Sequence, residues 1–298
     1  MYRNFQELRD SIMLLEPKTI VVAAAHDKNT LEAVYSAAKA FPMRYALVGK
    51  RDSIMDISAE LGTIPDENSI IDAFDNEDCA KKAVSIIREK RGDVLMKGQI
   101  ETGALLKAAL DKNSGIRSSS TLSHVAVLEV PSYHKLIAVT DGGMLTNPSL
   151  EQKADIVRNV TTMFGKLGIE NPRIAALCAS EAINEKIPET VDASKLQTMC
   201  SNGELGQCIL EGPLSFDLAI SAKSAEKKGF KSEITGDVDV FLVPNITVGN
   251  VVCKALIYWG NTKMAGCVIG AKVPIVLVSR VATAEEKLLS ILICLKVG

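Results

Sequence analysis

The sequence has few of the residues that build metal centres and disulfide frameworks. Its three histidines, His26, His124 and His134, show no HxxxH or HxxEH spacing, so a histidine-based metal site is not expected. Its seven cysteines are scattered and odd in number, and none of them forms a CxxC pair. This pattern argues against a cysteine zinc site and against a disulfide framework. We therefore expect reduced thiols in a cytoplasmic protein that binds no metal.

The chain also lacks a charge imbalance and any long apolar run. It has 34 Lys and Arg residues against 36 Asp and Glu residues, which leaves a net charge of −2. Such a balance gives no support to a nucleic-acid partner or to a polybasic membrane surface. The longest apolar runs, such as residues 20–25, are far shorter than the roughly 18 residues of a membrane span. The opening residues, MYRNFQELRDS, lack the apolar region of a secretory signal.

Short apolar runs alternate with amphipathic stretches from end to end. Many of these runs are continuously apolar, as in strands that are covered on both faces, and this predicts an α/β architecture with a mostly parallel sheet. The length of 298 residues favours two domains. The short polar stretch 131–135 joins two predicted strands, and so short a connection predicts that the two strands pair antiparallel. The predicted strands are 19–25, 44–49, 69–73, 93–98, 124–130, 136–140, 173–179, 208–212, 238–244, 264–270 and 274–279, and the predicted helices are 29–41, 76–91, 101–111, 149–167, 217–228, 249–259 and 284–295.

The end of the last predicted strand carries the clearest candidate site. Ligands of open α/β sheets bind beyond the carboxyl ends of the strands, near helix N-termini. Ser279 and Arg280 directly follow that strand. An arginine in this position needs an anion, and its fork of donors suits phosphate. Glu285 and Glu286 then lie in the first turn of the last helix, where complementing the helix dipole is an alternative to a catalytic role.

Two further strand ends carry weaker signals. Lys97 and Gly98 stand where a strand becomes a loop before a helix, and a solvated lysine at a turn is an equal alternative to a binding role. Gly249 and Asn250 are predicted to open a helix after another strand. Glycine there permits close approach of a ligand, although simple turn chemistry explains it as well.

A run of small hydroxyl residues forms the remaining candidate. Its N–H groups and hydroxyls predict an anion nest behind Arg117, with a solvated loop as the alternative. The run consists of Ser118, Ser119, Ser120 and Thr121. The sequence contains no GxxxxGK[ST] motif, no GxGxxG after a strand and no GxSxG elbow. P-loop, dinucleotide-binding and serine-hydrolase interpretations therefore have little support.

Several of these stretches, taken in order, resemble the phosphate acetyltransferase and phosphate butyryltransferase family over nearly the full chain. The sequence is more similar to the butyryl branch of this family, because it has the KG pair and lacks the longer acetyl-type signatures. The resemblance implies reversible acyl transfer between coenzyme A and inorganic phosphate, with butyryl-CoA and phosphate giving butyryl phosphate and CoA. Coenzyme A is then a substrate, and no cofactor is implied. The stretches are LMKGQIETGALLKAAL, GIRSSSTLSHV, TDGGMLTNPSLEQKADIVRN, LEGPLSFDLAIS, VDVFLVPNITVGNVVCKAL and VPIVLVSR.

The resemblance also implies a fold and roles for residues. The implied fold is the two-domain α/β/α isocitrate/isopropylmalate dehydrogenase-like fold with an interdomain cleft, in a homo-oligomer. Residues 1–127 plus 271–298 would form the first domain, and 128–270 the inserted second domain. Ser279 and Arg280 match a pair assigned to transition-state stabilisation. Arg117 and the serines after it match a segment that contacts phosphate or acyl phosphate. Glu286 holds the position of the proposed thiol base, an aspartate in the family, and Glu285 competes for that role.

Other functions remain as alternatives. A phosphate acetyltransferase or a fatty-acyl-phosphate-forming enzyme would share the chemistry. A non-catalytic acyl-CoA-binding protein of this fold would be expected to lack Ser279 and Arg280, which are present. Metal- and NAD-dependent decarboxylating dehydrogenases of the same fold need clustered aspartates, often as DxxxD on a helix. The sequence shows no such cluster of aspartates. Asp237 and Asp239 stand at the start of a predicted strand instead of on a helix.

Overall fold

Strands and helices alternate along the chain in the computed structural model, which describes residues 2–278 and 282–298. The strands are β1 Lys18–Ala23, β2 Met43–Gly49, β3 Ile70–Asp72, β4 Val94–Lys97, β5 Ser123–Glu129, β6 Ile137–Thr140, β7 Arg173–Leu177, β8 Ile209–Leu214, β9 Val240–Leu242, β10 Lys263–Ile269 and β11 Ile275–Val276. The helices are α1 Phe5–Ile12, α2 Lys28–Ala40, α3 Arg51–Glu60, α4 Asn76–Arg88, α5 Thr102–Ala109, α6 Leu150–Lys166, α7 Pro188–Ser201, α8 Phe216–Ile220, α9 Ala222–Lys228, α10 Ile246–Gly260 and α11 Ala284–Val297. Each predicted strand and helix thus has a counterpart in the structure.

The chain divides into two compact units. We call Phe5–Ser120 with Ala265–Gly298 the terminal unit, and Thr121–Met264 with the first few residues the middle unit. The middle unit is therefore an insertion between two parts of the terminal unit. The domain limits that the family resemblance implies, at residues 127 and 271, stay a prediction.

The terminal unit contains a mainly parallel run of strands in the order β3-β2-β1-β4-β11-β10. Neighbouring strands pair in parallel from β3 to β11, and β10 pairs antiparallel with β11. Four consecutive residues of β1, from Ile20 to Ala23, have no exposed surface. Because successive side chains of a strand point to opposite faces, both faces of β1 are covered. This explains the continuous apolar run in the sequence.

The middle unit contains strands in the order β5-β6-β9-β7-β8. As predicted, β5 and β6 pair antiparallel, whereas β6–β9, β9–β7 and β7–β8 are parallel. Its core gathers inward-facing residues of these strands, among them Leu128, Val139, Ala175 and Phe241. The core is therefore mainly aliphatic, with few aromatic side chains such as Phe241, as the low aromatic content of the sequence indicates.

The structure also contains helices that the sequence patterns did not predict, namely α1, α3 and α7. In α7 only Thr190, Ala193 and Leu196 are buried, so the apolar period that marks an amphipathic helix is weak. The prediction of one helix over 217–228 was wrong. The chain there forms α8 and α9, with Ser221 ending the first helix and capping the second through its side chain.

A buried ion pair joins strand ends in the middle unit. Lys135 Nζ lies 2.7 Å from a carboxylate oxygen of Asp239 and 2.7 Å from one of Asp237. Asp239 also accepts a hydrogen bond from the backbone N–H of Arg173 at 2.8 Å, and Arg173 pairs with Asp237. Asp237 and Asp239 are therefore both engaged by cations, and Asp239 is engaged by the backbone as well.

We predict that Lys135→Met destabilises the protein by about 3–5 kcal/mol, because the Asp239 carboxylate would stay buried without its cation. Lys81→Met is the matched control, since Lys81 pairs with Glu77 across 2.7 Å while 66% and 77% of the two side chains remain exposed. We expect no measurable loss there, because exposed pairs contribute little. Urea unfolding of both variants tests this, and equal losses would contradict it.

Candidate functional site

A cavity of about 580 Å³ lies at the carboxyl ends of β1 and β4 in the terminal unit. Lys97 and Gly98, which the sequence predicted at a binding site, line it. Val278 and Lys287 line it too, and these residues flank the segment 279–281 in sequence. The cavity therefore occupies the position that the sheet-edge rule assigns to a ligand.

Close backbone contact holds the ends of β1 and β4 together. The N–H of Gly98 donates to the carbonyl oxygen of Ala23, and the N–H of Gln99 donates to that of Ala24, both at 2.8 Å. A Cβ atom at Gly98 would lie 2.2 Å from the Ala24 oxygen and 2.8 Å from the Ala23 oxygen. Only glycine fits here without a backbone shift, so the glycine of the KG pair has a structural reason besides any ligand.

Glu286 lies in the first turn of α11, one residue before Lys287, which lines the cavity. Thr283 Oγ1 accepts a hydrogen bond from the Glu286 N–H at 3.1 Å, and Glu286 Oε2 accepts one from the Thr283 N–H at 2.7 Å. This reciprocal capping box gives the Glu286 carboxylate a role in starting the helix. Its role as a thiol base stays a prediction. The predicted catalytic residues Ser279 and Arg280 lie outside the described residues.

The segment after Arg117 is held by the loop that follows β10. The N–H groups of Ser118 and Ser119 both donate to the carbonyl oxygen of Gly270, at 3.2 and 2.9 Å. Two donors of the predicted anion nest are thus already paired with a protein acceptor. Arg117 Nε donates to the Ser119 carbonyl at 2.9 Å, and within the described residues its terminal nitrogens make no hydrogen bond. The fork of this exposed arginine is therefore available to an anion.

The hydroxyl run passes from one unit to the other after Ser120. Thr121 belongs to the middle unit, where it is buried and its hydroxyl donates to Asp155 at 2.9 Å. That contact accounts for Thr121 without a ligand. The substrate contacts predicted for Ser120 and Thr121 stay predictions.

Gly249 and Asn250 lie in the middle unit, inside the first turns of α10. This helix begins at Ile246 and is capped by the side chain of Asn245, so the prediction that Gly249 opens it was wrong. A Cβ at Gly249 would lie 2.5 Å from the Cα of Gly142. The close approach that glycine permits is used here by the protein's own backbone, and ligand contact by Gly249 or Asn250 stays a prediction.

His26 and Asp27 are among the lining residues of the terminal-unit cavity that sequence reasoning missed. Asp27 caps α2 by accepting the Thr30 N–H at 2.9 Å, while its other oxygen is buried without a hydrogen-bond partner in the described chain. The signal was present in the sequence, because a polar pair directly follows the apolar run of β1. The strand-end rule, applied to β1 as well, would have found both residues.

Residues 2–278 and 282–298 contain neither a cluster of metal-ligand side chains nor a membrane-spanning helix. No group of three or more His, Cys, Asp or Glu side chains there is arranged to hold a metal ion. No helix in these ranges combines the length and apolar character needed to cross a membrane.

Comparison with known proteins decides the family. A family model described as "Phosphate acetyl/butaryl transferase" matches residues 72–295. The chain belongs to this family. Phosphate butyryltransferase of Clostridium acetobutylicum is 38% identical over 291 residues, covering 98% of this chain and 97% of that one. The probable phosphate butyryltransferase of Bacillus subtilis is 40% identical over 274 residues, and a Thermotoga maritima phosphate acetyltransferase is 36% identical over 274 residues. These two matches cover 92% of this chain and 91% and 93% of the relatives.

Solved structures of the family and of its fold relatives agree with this assignment. A branched-chain phosphotransacylase from Enterococcus faecalis superposes with a TM-score of 0.83 at 31% identity, covering 94% of this chain and 98% of that one. A 4-hydroxythreonine-4-phosphate dehydrogenase from Klebsiella pneumoniae, 12% identical, superposes with a TM-score of 0.60 over 95% and 99% of the two chains. The expected dehydrogenase-like α/β fold and the resemblance to the phosphate acyltransferase family are both confirmed.

The contact at Gly98 generates a prediction. Gly98→Ala should destabilise the protein by about 1–3 kcal/mol, because the added methyl meets backbone oxygens that cannot move alone. Gly103→Ala is the control, since a Cβ there meets nothing within 4 Å. It lies in α5, so alanine should stabilise it by about 0.5–1 kcal/mol. Chemical unfolding measures both, and a neutral Gly98→Ala would show that the strand ends are not in close contact.

Proposed function

We propose that the protein catalyses reversible acyl transfer between coenzyme A and inorganic phosphate, with butyryl as the acyl group. The observation that carries this proposal is the 38% identity with the Clostridium phosphate butyryltransferase over nearly all of both chains. The cavity of the terminal unit supports it, because its lysines and polar side chains suit a phosphorylated substrate. Coenzyme A acts as a substrate, and the chemistry requires no redox cofactor.

The proposed reaction assigns separate tasks to the candidate residues. A phosphate oxygen attacks the thioester carbon, and negative charge collects on the carbonyl oxygen. The C–S bond then breaks and the thiolate of coenzyme A leaves. Ser279 and Arg280 stabilise that oxyanion, a task that is worth roughly 3–4 kcal/mol per donor in known sites. The open fork of Arg117 holds the phosphate, together with Lys97 and the serines beside Arg117. In the reverse direction a base must take the proton of the thiol, whose ordinary pKa is about 8.5.

Acetyl transfer is the second candidate function, since the Thermotoga phosphate acetyltransferase is 36% identical over 92% of this chain. Discrimination between acyl chains is weak for a binding pocket, because one methylene contributes only about 1–3 kcal/mol. We further propose that the protein is a cytoplasmic homo-oligomer. We also propose that its first domain comprises residues 1–127 and 271–298, and its second domain residues 128–270.

A thiol-release assay tests the function and its alternatives together. The protein is incubated with phosphate and with acetyl-, butyryl- or palmitoyl-CoA, and the released thiol is titrated with and without NAD and magnesium. We expect phosphate-dependent release that is fastest with butyryl-CoA and independent of both additions. Release that is fastest with acetyl-CoA would favour the acetyl function. Binding of acyl-CoA without release would favour a non-catalytic protein.

Arg280→Ala should lower kcat by about 10²-fold or more, as expected for loss of a main oxyanion donor. Arg280→Lys should recover only part of the rate, because the bidentate fork is lost. Steady-state kinetics in both directions, with circular dichroism to show folding, measures this. Near-parent turnover of the folded alanine variant would remove Arg280 from the catalytic assignment.

Glu286→Gln should slow the formation of acyl-CoA from acyl phosphate if Glu286 is the thiol base, and a higher pH should restore part of the rate. The structure makes this substitution informative, because glutamine at this position preserves a capping box. Any loss of rate then reports on proton transfer rather than on the start of the helix. Glu285→Gln is the matched control, and a parent-like pH–rate profile for Glu286→Gln would reject the base role.

A further inference from the structure

His26 stands at a distinctive place in the cavity of the terminal unit. It follows β1 after Ala24, whose φ of 59° turns the chain at the end of the strand. The imidazole packs against Gly49 at the end of β2, where an added Cβ would lie 2.8 Å from Nδ1. His26 shares the cavity with Lys97 and with Val278, which directly precedes Ser279. His26 therefore lines the same cavity as the last described residue before Ser279, to which the family resemblance assigns transition-state stabilisation.

The two ring nitrogens of His26 differ in their surroundings. Nδ1 is buried and has no hydrogen-bond partner among residues 2–278 and 282–298. Nε2 does not share this burial, and because His26 lines the cavity we infer that Nε2 is the nitrogen that faces it. A buried N–H without an acceptor is rarer in proteins than an acceptor that lacks a donor. The favoured neutral tautomer therefore carries its proton on Nε2 and directs that N–H into the cavity.

Burial and the nearby cation of Lys50 favour the neutral form of the His26 ring. Burial is the largest cause that lowers the pKa of His26, and the cation of Lys50 lowers it further. The carboxylate of Asp27 has a smaller effect that raises it. Lys97, Glu101 and Lys287 also line the cavity. Protonation would place an N–H at the buried Nδ1 and add a charge beside Lys50. His26 is thus a hydrogen-bond donor that remains uncharged near neutral pH.

We propose that the Nε2–H of His26 donates a hydrogen bond to the acyl carbonyl oxygen during transfer. This inference rests on the proposed acyltransferase function. When the phosphate oxygen bonds to the thioester carbon, negative charge grows on the carbonyl oxygen. That charge returns to re-form the C=O bond as the C–S bond breaks and the thiolate leaves with the electron pair. A neutral donor gains most when the charge appears, so it favours the transition state over the bound substrate. His26 itself exchanges no proton with the substrates.

A set of His26 variants tests the donor role. His26→Leu removes the donor and should lower kcat by roughly 10²- to 10³-fold in both directions, with KM values nearly unchanged. His26→Gln can place an amide N–H near the former Nε2 but cannot titrate, and it should retain kcat within about tenfold of the parent. The control is His134→Gln in the middle unit, where the exposed ring pairs with Asp237. We expect it to leave kcat unchanged, and thermal unfolding checks that every variant is folded.

Several outcomes would overturn the proposal. A folded leucine variant with parent-like kcat would do so, and so would a loss confined to KM for phosphate. A glutamine variant as slow as the leucine variant, with its rate restored by added imidazole, would make His26 a base instead.

Nitrogen NMR of histidine-labelled full-length protein tests the tautomer without using activity. The His26 signals are assigned by their absence in His26→Gln. We expect a proton on Nε2 and a bare Nδ1 that both persist at a pH of about 6.5, where an ordinary histidine is already half protonated. A proton on Nδ1 would contradict the proposal. If the parent transferred no acyl group, the proposed function would fail whatever the tautomer.

Discussion

The backbone contact between Gly98 and the carbonyl oxygens of Ala23 and Ala24 is the constraint on which the candidate site depends. It joins the end of β4 to the end of β1, with no room for a side chain at Gly98. Lys97 is thereby placed in the same cavity as His26 and Asp27. Parallel strands with both faces buried leave their carboxyl edge as the place where polar groups can gather without opening the core.

Much of the architecture was readable because burial on both faces leaves a simple mark in the sequence. The run VVAAA predicts a strand that is buried on both faces, and β1 ends within this run at Ala23. Helix α7 was missed because its buried residues are few and include Thr190, so no apolar period appears. The break at Ser221 was missed because it depends on a side chain that ends one helix and caps the next, which a hydrophobic pattern does not record.

The candidate site was predictable only where a residue follows a strand directly. Lys97 and Gly98 fall into this class, and the structure brings them into the cavity. Gly249 was predicted at the start of a helix that follows another strand, but its lack of a side chain serves the close approach of Gly142, a partner more than 100 residues away in the chain. Two serines after Arg117 likewise donate their N–H groups to the carbonyl oxygen of Gly270. Such distant partners depend on the completed fold, so local spacing cannot distinguish them from a ligand.

Hydrogen–deuterium exchange of the full-length protein most directly tests whether the substrates bind at this edge of the terminal unit. The protein is compared alone, with coenzyme A, and with coenzyme A plus phosphate. We expect slower exchange in peptides covering 23–30, 94–101 and 275–287 when coenzyme A is present, and further slowing around Arg117 when phosphate is added. Protection confined to other segments, with these peptides unchanged, would contradict it.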